Sequence, residues 1–441
     1  MSMNTFLHKK VTVQNMMDAR DARAQRQHAW AREYGVPMVF LTMNIAGPVK
    51  VTPLIEQGFD MAVRKITAQL ARHGAGITAW ERISACTGME MIWAVAFDAL
   101  KIKRMMADVE ERESFGRLLD IDVIDVDGRK ISRDEIGMPP RLCLICGCDA
   151  MACARSRAHT VEALFEKTEA ILKLAIHGRI ADRVSAIAQR ALLYEVTVTP
   201  KPGLVDRQNN GAHQDMDFFT FLQSASVLTA YFRACVQKGL EGEALQEVFR
   251  SLRYLGMCAE EDMLAVTQGV NAHKGAIFSL GILCGAVGWL MAKQSVLTPD
   301  AVCAACVDMT NEILQAEMAQ MEAPFGARKE AALGFPTVIR HGLPAYEEAR
   351  RMGKSINDAG VYSLLALLAA TMDANVARRS SVARARELQE EAGAILAAYT
   401  MKAVHGLDTR LIQENISPGG CADLLAVVFF LDEIRSLQLD R

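Results

Sequence analysis

The sequence lacks an excess of charge of either sign. Its 441 residues carry 49 Lys and Arg against 52 Asp and Glu, which gives a formal net charge of −3 at pH 7. Such a balance argues against a chain that coats nucleic acid or an anionic membrane, because both of those partners attract a surplus of cations. We therefore predict partners that are neither nucleic acid nor membrane.

A low-complexity linker, a repeat of fixed period and an apolar N-terminal segment are also missing. The first 27 residues are polar, unlike a secretory signal segment. Eleven cysteines would suit a disulfide scaffold in a short secreted chain, but this chain is long and the count is odd. We predict a protein of the reducing cytoplasm, with cysteines that are buried, metal-bound or tolerated.

Long uncharged stretches are scarce, with one exception. Residues 275–292 read GAIFSLGILCGAVGWLMA and approach the length of a membrane span. Four glycines in this stretch, and the polar motif directly before it, favour a buried core helix in which glycine permits close helix packing. A membrane helix is the alternative.

Hydrophobic residues make up 51% of the chain, enough for real cores in two or three domains. Up to about residue 170 the pattern is mixed: residues 115–137 predict strand, turn and strand around Asp127–Gly128, and residues 85–109 predict a helix. Residues 156–196 also predict a helix, and almost everything beyond 180 is helical. The domain boundary is expected near 165–185, within a helix that both domains would share.

The first half carries two carboxylates on one predicted strand face. Asp120 and Asp122 have the same parity, whereas Asp125 and Asp127 have the opposite one. Two such carboxylates can hold Mg²⁺ while a polyphosphate completes its oxygen shell, as in nucleotidyltransferases. A solvated strand face is the alternative.

A cysteine-rich stretch follows, RLCLICGCDAMACARSRAH at residues 141–159, and two interpretations stay open. One is a zinc site that begins with C-x2-C and continues with irregular spacing. Its ligands would come from Cys143, Cys146, Cys148, Cys153 and His159. The other is a phosphate-binding cluster. Its members would be Arg155, Arg157 and His159, with Lys50 after the Gly-Pro turn as a further phosphate contact.

Four polar segments interrupt the apolar second half, at residues 194–221, 259–278, 372–379 and 414–426. The candidate cations are Lys201, Arg207, Lys274 and Arg379. The candidate metal ligands or bases are Asp206, His213, Asp215 and Asp217, and Asp373 and Asp423 are further candidate contacts. Asn271, His273 and Lys274 lie just before the apolar stretch, where the free N–H groups of a helix start would favour an anion. The candidate neutral contacts are Asn271, Asn375 and Ser417. A lone His or Asp on a helix is usually structural, but several glycine-flanked groups of this kind predict a shared polyanion or metal site.

These segments carry a family resemblance. EVTVTPKPGLVDRQNNGAHQDMDFFTF, AEEDMLAVTQGVNAHKGAIF, HGLPAYEEA, MDANVARR and ISPGGCADLLA resemble the triphosphoribosyl-dephospho-CoA synthase family, over about residues 185–435. LTMNIAGPVK, residues 116–137 and residues 141–159 resemble the apo-citrate lyase phosphoribosyl-dephospho-CoA transferase family, over about 25–165. The combination resembles a fused, bifunctional form of the two enzymes.

The resemblance implies a fold, substrates and a partner. It implies an N-terminal α+β nucleotidyltransferase-like domain over residues 1–175 and a mostly α-helical synthase domain over 176–441. The second would join ATP to 3′-dephospho-CoA and release adenine. The first would attach the product to a serine of the acyl carrier (gamma) subunit of citrate lyase and release pyrophosphate, with Mg²⁺ at Asp120 and Asp122.

The resemblance also suggests roles for individual residues. We expect Asp215 to bind Mg²⁺ or act as the base, and His213 to contact phosphate or sugar. The triphosphate would be held by Lys201, Arg207 and Lys274. The chain departs from the family pattern where Thr is expected at Ala272 and Ala374 and Ser at Cys421. Two other functions stay open: a helical Mg²⁺-dependent ADP-ribose-type hydrolase, and a non-enzymatic zinc module fused to a helical binding domain.

Overall fold

The computed structural model describes residues 6–318 and 326–437, and the chain divides into two compact units. The first extends to His177 and the second begins at Gly178, so the division falls inside one long helix, α5 (Val161–Thr197). A mixed first part followed by a helical second part agrees with the sequence prediction.

The first unit contains a four-stranded antiparallel sheet in the order β2–β3–β1–β4. Its strands are β1 (Met38–Met43), β2 (Gly76–Ala85), β3 (Gly88–Ala96) and β4 (Leu119–Ile124). Its further helices are α1 (Val13–Tyr34), α2 (Pro53–Arg72), α3 (Ala99–Arg112) and α4 (Ala150–Ser156). Met38, Phe40, Ile92 and Ile124 form one core cluster of this sheet.

The helix predicted over residues 85–109 is wrong in its first half. Gly88–Ala96 is strand β3, paired on both sides, and the helix begins only at Ala99. The strand is buried from Met89 to Val95 and so lacks the alternation of a half-exposed strand. A short continuous apolar run does not distinguish a buried strand from a helix.

The predicted hairpin around Asp127–Gly128 forms only in part. The turn is present, since Gly128 adopts a φ of 82° and its N–H donates to Asp125 O at 2.9 Å. The second strand is reduced to a single antiparallel bridge, Ile124↔Lys130, so β4 forms an edge of the sheet.

Side chains cover the free edge of β4, where unpaired backbone groups would otherwise be exposed. Glu110 accepts from Ile121 N at 3.1 Å. Lys103 donates to Ile121 O at 3.2 Å, and Arg141 donates to Leu119 O at 2.7 Å. These contacts fix the strand on which Asp120 and Asp122 lie.

Helices are the regular elements of the second unit in its described residues, and loops connect them. After the end of α5 its helices are α6 (Phe218–Leu240), α7 (Leu245–Val266), α8 (Lys274–Ala292), α9 (Pro299–Met318), α10 (Ala327–Ala332), α11 (Leu343–Arg351), α12 (Ile356–Ala370), α13 (Ala374–Arg379), α14 (Val382–Ala397), α15 (Met401–Gln413) and α16 (Gly419–Arg435). A π-helical turn, Val338–Gly342, leads directly into α11.

Helix α8 is the one helix of the described residues that is long and apolar enough to cross a membrane, and 72% of its apolar window is buried inside the protein. It packs against α6, α7, α9 and α16. A Cβ at Gly285 would lie 2.6 Å from Leu252, and one at Gly288 would overlap the backbone oxygen of Val236. The prediction of a buried core helix with close-packing glycines is therefore confirmed.

Candidate functional site

The four polar segments line one cavity of about 990 Å³ in the second unit. They lie far apart along the chain, and the packing of α6, α8, α13 and α16 brings them together. The residues named from the sequence that line this cavity are Lys201, His213, Asp215, Asn271, His273, Lys274, Asp373, Asn375, Arg379, Ser417 and Asp423. Its volume lies at the upper end of the range for small-molecule sites, about 300–1,000 Å³.

His213 connects the first polar segment to the fourth. Its Nε2 lies 2.8 Å from Ser417 Oγ, and its Nδ1 lies 3.5 Å from Asp215 Oδ1. Burial and the nearby Arg379 lower the pKa of His213 below its ordinary value, whereas Asp215 acts in the opposite direction. The imidazole is therefore neutral at neutral pH and can accept a proton.

Three residues of the first segment do not line the cavity. Their polar groups form hydrogen bonds with other parts of the protein. Asp217 is the N-cap of α6 and accepts from Thr220 N at 2.9 Å. Asp206 accepts backbone N–H groups of its own loop, from Gln208 at 2.6 Å and from Asn209 at 3.1 Å. Arg207 donates to Thr199 and Asn357.

A buried ion pair contributes to the cavity wall. The ammonium of Lys201 contacts the carboxylate of Glu195, and their side chains are 1% and 3% exposed. Burial raises the pKa of Glu195, although Lys201 opposes that shift. Sequence reasoning missed Glu195, although this carboxylate stands at the start of the quoted motif EVTVTPKPG and follows the apolar residues ALLY. The carboxylate of Glu195 therefore compensates the positive charge of Lys201.

The start of α8 is occupied by the protein itself. Asn271 Oδ1 accepts from Lys274 N at 3.1 Å, and the Asp423 carboxylate accepts from Ala276 N–H. Gly275 lets Asp423 approach, because any Cβ there would overlap its carboxylate oxygen. Burial and the nearby carboxylates of Glu195 and Asp373 raise the pKa of Asp423 well above its ordinary value. The sequence predicts an anion site at this helix start, and in the structure the carboxyl group of Asp423 lies there.

His273 is 2% exposed and lines the cavity. Its Nδ1 lies 2.7 Å from Ser224 Oγ, and its ring packs edge-on against Phe221. Its Nε2 is buried and has no hydrogen-bond partner among the described residues. Burial lowers the pKa of His273 to about 3, and Lys201 adds to this shift. His273 is therefore a neutral imidazole.

Asp373 joins the third segment to the fourth. Its Oδ1 accepts from Asn375 N at 2.8 Å and Val376 N at 3.2 Å, which caps α13. Its Oδ2 accepts from Cys421 N at 2.9 Å, and a Cβ at Gly420 would lie 2.8 Å from the same oxygen. Gly420 permits this approach, and Gly419 leaves room for the side chain of Asn375.

Several cations surround the cavity, and the sequence analysis missed some of them. Lys274 pairs with Glu260 at 2.7 Å, and Arg379 donates to Ala212 O at 3.3 Å. The lining residues that sequence reasoning missed are Glu195, Glu260, Arg328, Lys329, Glu330 and Arg378. Arg378 stood inside a quoted motif, whereas residues 328–330 had no motif to mark them.

In the first unit, Asp120 and Asp122 occupy alternate positions of β4, opposite Thr42 and Phe40 of β1. Burial and the charge of Asp122 raise the pKa of Asp120. Asp122 forms an ion pair with Lys130 at 2.5 Å. Two carboxylates that repel each other on one strand face fit a divalent cation that also takes ligands from a substrate.

The remaining candidates of the first unit are the possible zinc ligands and the possible phosphate contacts. Cys143, Cys146, Cys153 and His159 place their ligand atoms within 4.8 Å of one another, and Cys148 is not among them. Arg155 and Arg157 are exposed. The amine of Lys50 donates to Ile45 O, and its pKa is lowered chiefly by burial.

Comparison with known proteins gives family matches that agree with the division of the chain into two units. Residues 181–441 match the family model of ATP:dephospho-CoA triphosphoribosyl transferase (CitG), and residues 11–175 match that of apo-citrate lyase phosphoribosyl-dephospho-CoA transferase (CitX). Protein CitXG of Haemophilus influenzae is 32% identical over 458 residues, covering 97% of both chains. Protein CitXG of Leuconostoc mesenteroides subsp. cremoris is 29% identical over 460 residues, covering 96% of this chain and 97% of that protein.

A shorter relative matches the second part alone. The probable 2-(5''-triphosphoribosyl)-3'-dephosphocoenzyme-A synthase of Vibrio cholerae is 38% identical over 277 residues, covering 58% of this chain and 88% of that protein. The chain therefore belongs to the ATP:dephospho-CoA triphosphoribosyl transferase family in its second part and to the apo-citrate lyase phosphoribosyl-dephospho-CoA transferase family in its first.

Proposed function

We propose that this chain is a transferase that makes and attaches the prosthetic group of citrate lyase. Its second part joins ATP to 3′-dephospho-CoA, forming 2′-(5″-triphosphoribosyl)-3′-dephospho-CoA and releasing adenine. Its first part transfers that product to a serine of the acyl carrier (gamma) subunit and releases pyrophosphate. The two family matches and the full-length similarity to CitXG proteins support this function.

One observation carries the assignment of the first reaction to the second unit: four polar segments from across that unit line a single cavity. In this reaction a ribose hydroxyl attacks the anomeric carbon of ATP, and the bond to adenine breaks while the triphosphate stays. Such a site needs a proton acceptor for the hydroxyl, a proton donor for adenine and cations for the triphosphate.

His213 and Asp423 suit the two proton transfers, because their environments move their pKa values in opposite directions. The neutral imidazole of His213 would accept the proton of the attacking hydroxyl. Asp215, near its other ring nitrogen, would stabilise the imidazolium that forms. The buried carboxyl of Asp423 favours its protonated form and would donate to the departing adenine.

The triphosphate would be held by cations that line the cavity, of which only Lys274 is retained from the three named from the sequence. Lys274 keeps its predicted role and is joined by Arg328, Arg378 and Arg379, all of which line the cavity. Lys201 is compensated by Glu195, and Arg207 contacts Thr199 and Asn357. Asn271, Asn375 and Ser417 remain proposed substrate contacts.

For the second reaction we assign Asp120 and Asp122 to a Mg²⁺ ion. When bound there, the ion would neutralise charge on the leaving pyrophosphate as the serine hydroxyl attacks phosphorus. Mg²⁺ commonly uses one or two carboxylates together with substrate phosphates, which fits a pair on one strand face. A nucleotidyltransferase-like fold and a cytoplasmic location stay predictions.

Incubation of the full chain with ATP and 3′-dephospho-CoA, followed by mass analysis of the small molecules, tests the proposal. We expect adenine only when both substrates are present, together with a product in which ribose triphosphate has been added to dephospho-CoA. Adenine release from ATP alone would instead favour the hydrolase. Addition of the apo acyl carrier subunit should then yield a modified serine and pyrophosphate.

A further inference from the structure

A group of sulfur and nitrogen ligands lies in the first unit, and neither proposed reaction uses it. The Sγ atoms of Cys143, Cys146 and Cys153 and a ring nitrogen of His159 all lie within 4.8 Å of one another. Cys146 Sγ is 3.4 Å from Cys153 Sγ and 3.3 Å from His159 Nε2. It is the one such group of three or more potential metal ligands found across residues 6–318 and 326–437.

We propose that these four residues bind a structural Zn²⁺ ion. Tetrahedral zinc with Zn–S bonds of about 2.3 Å and Zn–N bonds of about 2.0 Å places two sulfurs ~3.8 Å apart and sulfur and nitrogen ~3.5 Å apart. The Cys146–Cys153 separation of 3.4 Å and the Cys146–His159 separation of 3.3 Å are close to these values, and all four ligand atoms lie within 4.8 Å of one another. Three cysteines and one histidine form a closed set of four, as in structural rather than catalytic zinc sites.

Cys143 and Cys146 lie in a tight turn whose backbone N–H groups point at their sulfur atoms. Backbone N–H groups of Ile145 and Cys146 donate to Cys143 Sγ, and that of Cys148 donates to Cys146 Sγ. Gly147 has a φ of 72°, and the isolated bridge Leu142↔Asp149 closes the turn at its base. N–H groups directed at sulfur stabilise thiolates, which are the form that binds zinc.

The other two ligands are placed by the short helix α4. Asp149 caps this helix by accepting from Ala152 N at 2.7 Å, which turns Cys153 toward the first pair. The helix ends at Ser156, and the φ of 53° at its C-cap Arg157 reverses the chain so that His159 returns to Cys146. Both elements use local sequence signals, so the four ligands are preorganised by the fold.

The chemistry of the donors selects the metal class. Thiolates and imidazole favour zinc over the hard cations Mg²⁺ and Ca²⁺, which take oxygen ligands. A reducing compartment, which the sequence favours, works against a disulfide between Cys146 and Cys153.

The zinc would anchor a segment that has little regular structure. Between β4 and α4 the described chain has only a 3₁₀ turn, Asp134–Ile136, and isolated bridges. Arg141 lies two residues before Cys143, donates to Leu119 O and forms an ion pair with Glu110. The metal would therefore fix Arg141 against the strand that carries Asp120, acting as a positioning element.

Metal analysis of the purified full chain tests this inference, with Cys148→Ser as the matched control. Cys148 lies in the same turn but outside the ligand group. We expect about one zinc per chain in the parent and in Cys148→Ser, and a loss of most zinc in Cys146→Ser and Cys153→Ser. Adenine release, assigned to the other unit, should persist in all four proteins and reports that the second unit is folded in each of them.

Cobalt substitution of the parent provides a second measurement that does not depend on any variant folding. Visible absorption of tetrahedral cobalt with sulfur charge-transfer bands would support the site. A metal-free parent after growth with added zinc, or octahedral cobalt without these bands, would overturn it. Equal zinc content in Cys146→Ser and Cys148→Ser would do the same.

Discussion

At the scale of single residues, the carboxylates near the cavity differ in whether the fold already uses them. Asp217 and Asp373 bond to backbone N–H groups at helix starts, and Asp206 bonds to those of its own loop. Asp215 is 64% exposed, and His213 is its one ion-pair partner among the described residues. The sequence alone did not separate Asp215 from Asp217, because the choice depends on the residue at which α6 begins.

Asp215→Asn should lower the rate of adenine release by about 10²-fold or more, because its charge would no longer stabilise the imidazolium of His213. The melting temperature should stay almost unchanged, since Asp217 is the cap of α6. Initial rates and thermal denaturation check both parts. Asp217→Ala is the matched control and should cost about 1 kcal/mol of stability with little loss of rate. A parental rate in Asp215→Asn would remove its catalytic role.

His273 should make the second unit less stable as the pH falls below about 6.5. Its pKa is about 3 in the folded protein, against 6.5 in an unfolded chain, so the unfolded chain binds one more proton between these values. Stability therefore rises with pH in this window, by up to about 1.4 kcal/mol per pH unit for this group. Melting temperatures between about pH 4 and pH 7 should vary less in His273→Gln than in the parent.

Burial also raises the pKa values of Glu195, Asp373 and Asp423, so the difference between parent and variant is the informative quantity. The substitution His28→Gln, at an exposed position of α1 in the first unit, provides the control and should leave the parental pH dependence of the second unit intact. If His273→Gln retains the parental dependence as well, the histidine is not held neutral by burial.

At the scale of elements, the sequence predicted helices well and buried strands poorly. Helix α5 was expected over residues 156–196 and runs over Val161–Thr197, because its apolar periodicity extends for many turns. The sequence predicts a helix where strand β3 lies, because both faces of the strand are covered, which removes the alternation that identifies a strand. Helix α8 was recognised as core because its glycines interrupt an otherwise membrane-like composition.

Gly288→Ala should destabilise the second unit by at least about 1–3 kcal/mol. The added Cβ would overlap the backbone oxygen of Val236, and a helix backbone cannot move aside as a side chain can. Gly406→Ala in α15 is the control, because its Cβ would meet its nearest neighbour, Arg410, at 3.9 Å. That change should be neutral or should stabilise by up to about 1 kcal/mol. Equal melting temperatures for the two variants would contradict the packing argument.

At the scale of the whole molecule, the chain combines two transferase families in one polypeptide. The sequence predicts that four separate segments share a site. These segments line one cavity, and binding of the substrates there stays a proposal. The sequence could not show which cations hold the triphosphate. The pairing of Lys201 with Glu195 depends on how α5 ends and on how the following loop folds back. Residues 328–330 entered the site only through the tertiary fold.

Asp120→Asn or Asp122→Asn should abolish transfer to the acyl carrier subunit and leave adenine release intact. Loss of one metal-binding carboxylate removes stabilisation of the leaving pyrophosphate, so the effect on transfer should exceed about 10²-fold. Mass analysis of the carrier protein and adenine release from the same samples separate the two activities. Asp125→Asn, which has the opposite strand parity, should transfer normally. If the Asp120 and Asp122 variants both transfer normally, the metal-binding role is wrong and the two carboxylates belong to a solvated strand face.

The approach of Asp423 to Gly275 restricts how this gene can change. Every single-nucleotide change in a glycine codon that replaces the residue introduces a side chain, and any Cβ at this position overlaps the Asp423 carboxylate. Shortening residue 423 at the same time would leave Ala276 N–H without the acceptor it now has. In a library of all single-codon variants selected for synthase activity, position 275 should therefore retain only its synonymous codons, whereas position 406 should accept alanine freely.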